Sequence, residues 1–139
     1  MTETITPSRF LLDTNIVSEL VRHPQGSVAA KVTELGDALV CTSIIVAAEL
    51  RYGAHMKGLA RLTDQLDRVL QSIDVLPLTG DVDQVYGRLR AYLESQGRLI
   101  GPNDLLIASQ CLSLNLTLVT RNVTEFARVP RLEMQSWPV

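Results

Sequence analysis

The chain has 139 residues, of which 46% are hydrophobic and 20% charged, which is enough apolar material for the core of one domain without disulfides. The net charge of −2 excludes a strongly basic protein that coats nucleic acids. The only histidines, His23 and His55, exclude a histidine-rich zinc site and argue against a Ser-His-Asp triad, so any chemistry must rest mainly on carboxylates.

Five short apolar segments predict strands, at 9–12, 38–42, 74–78, 116–120 and 132–135. Helical spacing and capping residues predict helices over 15–21, 27–35, 44–56, 59–73, 79–97 and 101–114. Pro77 indicates that the third strand lies at a sheet edge. Because strands alternate with helices, we expect parallel pairing and a three-layer α/β sandwich, with the functional groups at the carboxyl ends of the strands.

The same sequence features predict the environment of the chain. Cys41 and Cys111 lie in apolar segments without CxxC spacing, so we expect buried, reduced thiols. The N-terminal segment lacks the pattern of a signal peptide, and no apolar run is long enough to span a bilayer. We therefore expect a cytoplasmic protein that does not bind membranes.

Two acidic residues are predicted at strand ends. Asp13 follows the first strand, where an aspartate is also a common helix cap. Glu125 follows the fourth strand, together with Thr120 and Asn122, in a segment that would otherwise be interpreted as a surface loop. Each of these two residues therefore has a structural explanation of its own.

Two further acidic residues lie on helices in apolar surroundings. The neighbours of Glu49 at helical spacing are Ile45, Val46, Tyr52 and Gly53, and a buried carboxylate needs a partner or a proton. Asp104 begins a helix whose inner face carries apolar residues, although Asn103 or Asp104 could also cap that helix.

Together these four acids could meet at one edge of a parallel sheet, where their repulsion requires compensation. Oxygen ligands without imidazole or thiolate select Mg²⁺ or Mn²⁺. The chemistry that this arrangement predicts is metal-assisted hydrolysis of a phosphodiester or phosphomonoester.

Several sequence blocks resemble a known family. These are Leu11-Leu12-Asp13-Thr14-Asn15, Thr42-Ser43 with Ala48-Glu49-Leu50-Arg51-Tyr52-Gly53, Leu99-Ile100-Gly101-Pro102-Asn103-Asp104 with Ile107-Ala108, and Leu118-Val119-Thr120-Arg121-Asn122 with Glu125-Phe126. In order and spacing they resemble the PIN-domain toxins of the VapC family over residues 9–137. The resemblance implies a single PIN domain over 1–139 with strand order 3-2-1-4-5. It also implies an Mg²⁺-dependent endoribonuclease (Mn²⁺ would serve too) that cuts loops of transfer or ribosomal RNA.

The resemblance also assigns roles to residues and partners. Asp13 and Asp104 would be metal ligands, Glu49 would bind the metal directly or through water, and Glu125 would supply the fourth acid where some PIN proteins have an aspartate at the position of Asn122. The residues that would orient water or these ligands are Thr14, Asn15, Ser43, Thr120 and Asn122. Arg98 and Arg121 would contact RNA phosphates. The chain would form a homodimer, bind a VapB-type antitoxin and contact promoter DNA only through that antitoxin.

Two other functions are alternatives to a ribonuclease toxin. A phosphatase or phospho-receiver that uses Asp13 as nucleophile or phosphoryl acceptor lacks support, because Asn15 stands where such phosphatases need a second aspartate and no lysine follows Lys57. A PIN-like binding or regulatory protein with a weak or inactive site is the remaining alternative, and growth on induced expression would distinguish it from a toxin.

Overall fold

The structure is a computed structural model that describes residues 9–138. The N-terminal segment in which a signal peptide was not expected, and the outer limits of the predicted domain 1–139, lie partly outside these residues. The strands are β1 (Phe10–Leu12), β2 (Val40–Ser43), β3 (Asp74–Leu76), β4 (Thr117–Val119) and β5 (Met134–Gln135). All pairs are parallel and the order is β3-β2-β1-β4-β5. The predicted α/β fold, its strand order and the edge position of β3 are confirmed.

Helices connect the strands. Over residues 9–138 they are α1 (Thr14–Arg22), α2 (Ser27–Leu35), α3 (Ile44–Lys57), α4 (Ala60–Ser72), α5 (Val82–Ser95), α6 (Pro102–Leu114) and α7 (Val123–Phe126). Right-handed crossovers place α1–α4 on one face of the sheet and α5 with α6 on the other. In agreement, α1 packs against α2, α3 and α4, while α5 packs mainly against α6. None of the helices in the described part of the chain is long and apolar enough to cross a membrane.

The central strands form the middle of the core because helices cover both of their faces. The fully buried apolar residues of the strands are Leu11, Leu12, Val40, Cys41, Leu118 and Val119. Cys41 and Cys111 are both buried and free, as expected, and burial raises the pKa of the Cys41 thiol to about 11. Neither thiol is therefore a nucleophile at neutral pH.

Several predicted boundaries were wrong. The second strand was expected from residue 38, but Asp37–Leu39 forms a single 3-10 turn and β2 begins at Val40. The segment of Glu125, which could also have been interpreted as a surface loop, forms the four-residue helix α7. The helix expected from 79 or 80 begins at Val82, because Gly80 takes a left-handed turn with φ of 67°. The remaining strands are one to two residues shorter than predicted at one or both ends.

The order of the strands determines where the functional groups lie. β2 is the neighbour of β1 on one side, and β4 is its neighbour on the other side. The carboxyl ends of β1 and β4 are therefore neighbours at the point where the direction of winding reverses, with Leu12 opposite Val119. In open parallel sheets ligands bind in the crevice at this point.

Candidate active site

Asp13 is held between β4 and the start of α1. Its backbone N–H donates to the carbonyl of Val119 at 2.9 Å. Its carboxylate accepts one hydrogen bond from the Thr14 amide at 2.8 Å and another from the Thr120 hydroxyl at 2.7 Å. Asp13 is 4% exposed, and burial raises its pKa in spite of these two bonds, with a further increase from the charges of Glu49 and Glu125. Asp13 therefore caps α1 and also belongs to a cluster of carboxylates.

Glu49 is brought to the same place by α3. Its carboxylate accepts a hydrogen bond from the Thr14 hydroxyl at 2.9 Å, which joins α3 to α1. The expectation that Glu49 lies on a continuous buried stripe was wrong, because it is half-buried and Tyr52, one turn further along, is 68% exposed. One side of Glu49 therefore faces the protein and the other is accessible to solvent.

Asp104 and Glu125 form a pair across the loop that precedes α6. One oxygen of Glu125 accepts a hydrogen bond from the amide of Gly101 at 3.0 Å, and the other accepts one from the side-chain amide of Asn122. A hydrogen bond also joins the two carboxyl groups. Asp104 does not cap its helix, and neither does Asn103, since Gly101 occupies the cap position and makes no side-chain bond.

The pKa values of these two carboxyl groups shift in opposite directions. Burial, the hydrogen bond to Glu125 and the charges of Glu125, Asp13 and Glu49 raise the pKa of Asp104 to about 7. The Gly101 amide is the main cause of a lowered pKa for Glu125, and the bonds from Asp104 and Asn122 lower it further. Asp104 is therefore the carboxyl of this pair that takes a proton more readily, and Glu125 is the one that favours the charged form.

The polar residues predicted around the acids have different partners. Thr14 and Thr120 donate to Glu49 and Asp13, and Asn122 donates to Glu125. Asn15 accepts a hydrogen bond from the amide of Arg121 at 3.3 Å. Ser43 is fully buried and caps α3 through the amide of Ile45 at 3.0 Å, so its hydroxyl holds the helix that carries Glu49.

The two arginines that were predicted to contact RNA differ in how their side chains are held. The side chain of Arg121 contacts Glu19 at 3.2 Å, whereas Arg98 is exposed on the loop between α5 and α6. Glu19 was missed by the sequence analysis. It also contacts Arg22 at 3.3 Å, and its side chain is only 13% exposed. The available signal was its position one turn after Asn15 on α1, which places both residues on one face of that helix.

The charges of the residues in this cluster determine whether a cation fits there. Among residues 9–138, no group of three or more acidic, histidine or cysteine side chains is already arranged to hold a metal ion. Mg²⁺, however, needs only one or two carboxylates and keeps several waters. The negative charges of the neighbouring acids contribute to the raised pKa values of both Asp13 and Asp104. A divalent cation would offset this repulsion, so the residues fit such an ion.

Comparison with known proteins agrees with this fold. The PIN domain family matches residues 10–132. Ribonuclease VapC2 of Rickettsia felis is 37% identical over 130 residues, which cover 92% of this chain and 97% of that protein. The tRNA(fMet)-specific endonuclease VapC of Shigella flexneri is 34% identical over 130 residues, covering 93% and 98%. The chain belongs to the VapC family of PIN-domain ribonucleases.

A solved structure supports the same assignment. The crystal structure of VapBC2 from Rickettsia felis, bound to a DNA fragment from its promoter, contains a chain that superposes with a TM-score of 0.85 and 36% identity. The match covers 93% of this chain and 98% of that chain. The strand order and the helices described above are therefore those of the family.

Proposed function

We propose that this chain is a divalent-metal-dependent endoribonuclease toxin, which hydrolyses phosphodiester bonds in exposed loops of structured RNA. The observation that carries the proposal is the meeting of four carboxylates from β1, α3, α6 and α7, whose mutual repulsion contributes to the pKa of about 7 at Asp104. The names of the relatives support a ribonuclease, and one of them is a tRNA-specific endonuclease.

In the proposed reaction, Asp13 and Asp104 would hold Mg²⁺ or Mn²⁺, Glu49 would bind the ion directly or through water, and Glu125 would supply the fourth acid. A bound divalent ion supplies charge to the phosphoryl oxygens and lowers the pKa of a water. Asp104 would have to be deprotonated to serve as a ligand, and the negative charge of Glu125 beside it would favour a cation there. Thr14 and Thr120 fix the orientation of Glu49 and Asp13 by donating hydrogen bonds to them.

The position of the acids also limits the substrate. They lie at the carboxyl ends of β1 and β4 and on the adjoining helices, and an unpaired RNA segment can bring its backbone to such a site more easily than a rigid duplex can. Sequence-independent contacts to flanking phosphates are assigned to Arg121 and Arg98. We therefore propose that an unpaired loop of transfer or ribosomal RNA enters the site.

The comparison with known structures supports a protein partner as well. The neighbouring structure is a VapBC complex bound to promoter DNA. We propose that a VapB-type antitoxin covers the acidic site of this chain, that the chain forms a homodimer, and that promoter DNA is contacted through the antitoxin. The net charge of −2 agrees with a chain that does not itself bind duplex DNA.

The test is cleavage of total transfer and ribosomal RNA by the purified chain, with the cut ends identified by sequencing. We expect cleavage with Mg²⁺ or Mn²⁺ and none with chelator. Asp13→Asn and Asp104→Asn should lose about 100-fold or more in rate. Asp64→Asn is the matched control, because Asp64 is exposed on α4. Cleavage that continues in chelator contradicts the proposal, and growth unaffected by induced wild-type protein favours an inactive binding protein instead.

A further inference from the structure

A second polar groove lies apart from the acidic cluster. It has a volume of about 700 Å³ and runs between α5, the last turn of α6 and the segment before β5. The polar residues that line it are Asp81, Arg88, Tyr92, Ser113, Asn115 and Arg131. We call this feature the α5–α6 groove.

The charge of the groove is positive. Arg88 and Arg131 form no ion pair with an acidic side chain within residues 9–138, whereas the one lining carboxylate, Asp81, is engaged by the hydroxyl of Ser113. Arg90, two residues further along α5, makes the contrast clear, since it pairs with Glu94 at 3.0 Å and donates to the Tyr86 hydroxyl at 3.0 Å. The guanidinium groups that face the groove are therefore available to an anion from outside.

The groove is also lined by a residue with an unusual backbone conformation and by an exposed aromatic ring. Arg131 has φ of 64°, a left-handed conformation that a residue with a Cβ adopts at an energetic cost and that recurs at functional positions. Tyr92 is 48% exposed and follows Arg88 by one helical turn, so both side chains lie on the same face of α5. Exposed aromatic rings beside arginines are the combination by which proteins bind unpaired nucleotides, through stacking on the ring and contacts to the phosphates.

We propose that the α5–α6 groove binds an unpaired RNA segment that flanks the cleavage site, with Arg88 and Arg131 on its phosphates and Tyr92 stacked against a base. This inference rests on the proposed ribonuclease function. Asp104 lies in the first turn of α6 and Ser113 in the last, which at 1.5 Å per residue separates them by about 13 Å along the helix. The groove is therefore too far from the acids to hold the scissile phosphate, and it selects RNAs whose loop or flanking strand extends that far.

The test compares groove variants with a matched control on the same helix. Arg88→Ala combined with Arg131→Asn removes both charges, and asparagine tolerates the left-handed backbone. Tyr92→Leu removes the stacking surface, and Arg90→Ala is the control. Binding of labelled total transfer RNA is measured with each change placed in the non-cleaving Asp13→Asn protein. We expect the double change to weaken binding about tenfold and to reduce the slope of log affinity against log salt by about 1.4. Tyr92→Leu should weaken binding at least about fivefold, and the control should change neither quantity.

Cleavage separates the groove from the acidic site. In the active protein, the groove variants should raise KM for transfer RNA and leave kcat within about twofold, because they do not touch the reacting phosphate. Groove variants that bind and cleave like the parent overturn the groove proposal while the ribonuclease stands. A parent that neither binds nor cleaves any RNA overturns both.

The oligomeric state provides the remaining control. The molar mass of each variant is measured by light scattering, and its melting temperature is compared with that of the parent. Arg88, Tyr92 and Arg131 are exposed, so the variants should fold and keep the molar mass of the parent. A groove variant that loses affinity together with a change in molar mass shows that the groove joins two copies of the chain, which also overturns the proposal. If Tyr92→Leu does not fold, Arg88→Gln alone must still lower the salt slope by about 0.7.

Discussion

Replacing Asp104 by asparagine should stabilise the metal-free protein at neutral pH and above. Folding raises the pKa of Asp104 from 3.8 to about 7, so the folded state favours the protonated carboxyl. The cost of ionising Asp104 is absent below pH 3.8, grows as the pH rises, and is complete above about 7. Asparagine does not ionise and can still donate to Glu125, so the variant avoids this cost.

The magnitude follows from the pKa and from the exposure of the side chain. Full conversion of the difference between 3.8 and about 7 corresponds to about 4 kcal/mol. Asp104 is only half-buried and solvent screens its charge, so we expect about 1–2 kcal/mol. This corresponds to a melting temperature about 2–8 °C higher for Asp104→Asn at pH 8, and to no clear difference at pH 4.

The assay is thermal unfolding in chelator between pH 4 and pH 8, repeated with Mg²⁺. Asp64→Asn is the control and should follow the wild type at each pH, because Asp64 is exposed. Mg²⁺ should raise the melting temperature of the wild type more than that of Asp104→Asn, since the variant lacks one ligand. An Asp104→Asn protein that melts below the wild type at pH 8 in chelator would refute the assignment of repulsion at this site.

Three more predictions follow from single contacts. Thr120→Val removes the hydrogen bond to Asp13 in a fully buried position and should cost about 1–3 kcal/mol in urea unfolding; an unchanged midpoint would contradict that bond. Gly101→Ala places a methyl 3.8 Å from oxygens of both Asp104 and Glu125, an ordinary van der Waals distance, so the RNA cleavage rate should stay within about twofold and the melting temperature within about 2 °C of the wild type; a tenfold loss of rate would show that the methyl displaces one of these carboxyl groups. Glu19→Gln should lower KM for RNA and leave kcat unchanged, because Arg121 loses its ion pair and its charge becomes available to a phosphate; a rise in KM would show instead that the ion pair holds Arg121 in place for RNA.

Much of the fold could be predicted because its signals are periodic. The leucines of α4 recur at helical spacing, and Leu66 and Leu70 are buried as that spacing requires. The features that were predicted incorrectly have no repeating sequence pattern. The 3-10 turn before β2 and the four-residue helix α7 are too short for a repeating pattern, and local backbone geometry determines them.

The candidate site, too, could be predicted only in part from the sequence. That Asp13 and Glu125 lie near each other follows from parallel strand ends, which sequence order can indicate. The opposite pKa shifts of Asp104 and Glu125 depend on the close approach of two carboxyl groups across the loop before α6, and no sequence pattern indicates that approach. The error at Glu49 has a similar origin, because the apolar residue Tyr52 on its helix face points to solvent.

The insertion of β4 beside β1 has a consequence for synthesis on the ribosome. Asp13 lies near the beginning of the chain, but its partner Thr120 is 107 residues further on. Glu125 follows later still. A nascent chain therefore holds three of the four acids before β4 is made, and the candidate site is complete only after Glu125 has been synthesised. A truncated product that ends before β4 should be harmless to the cell that makes it.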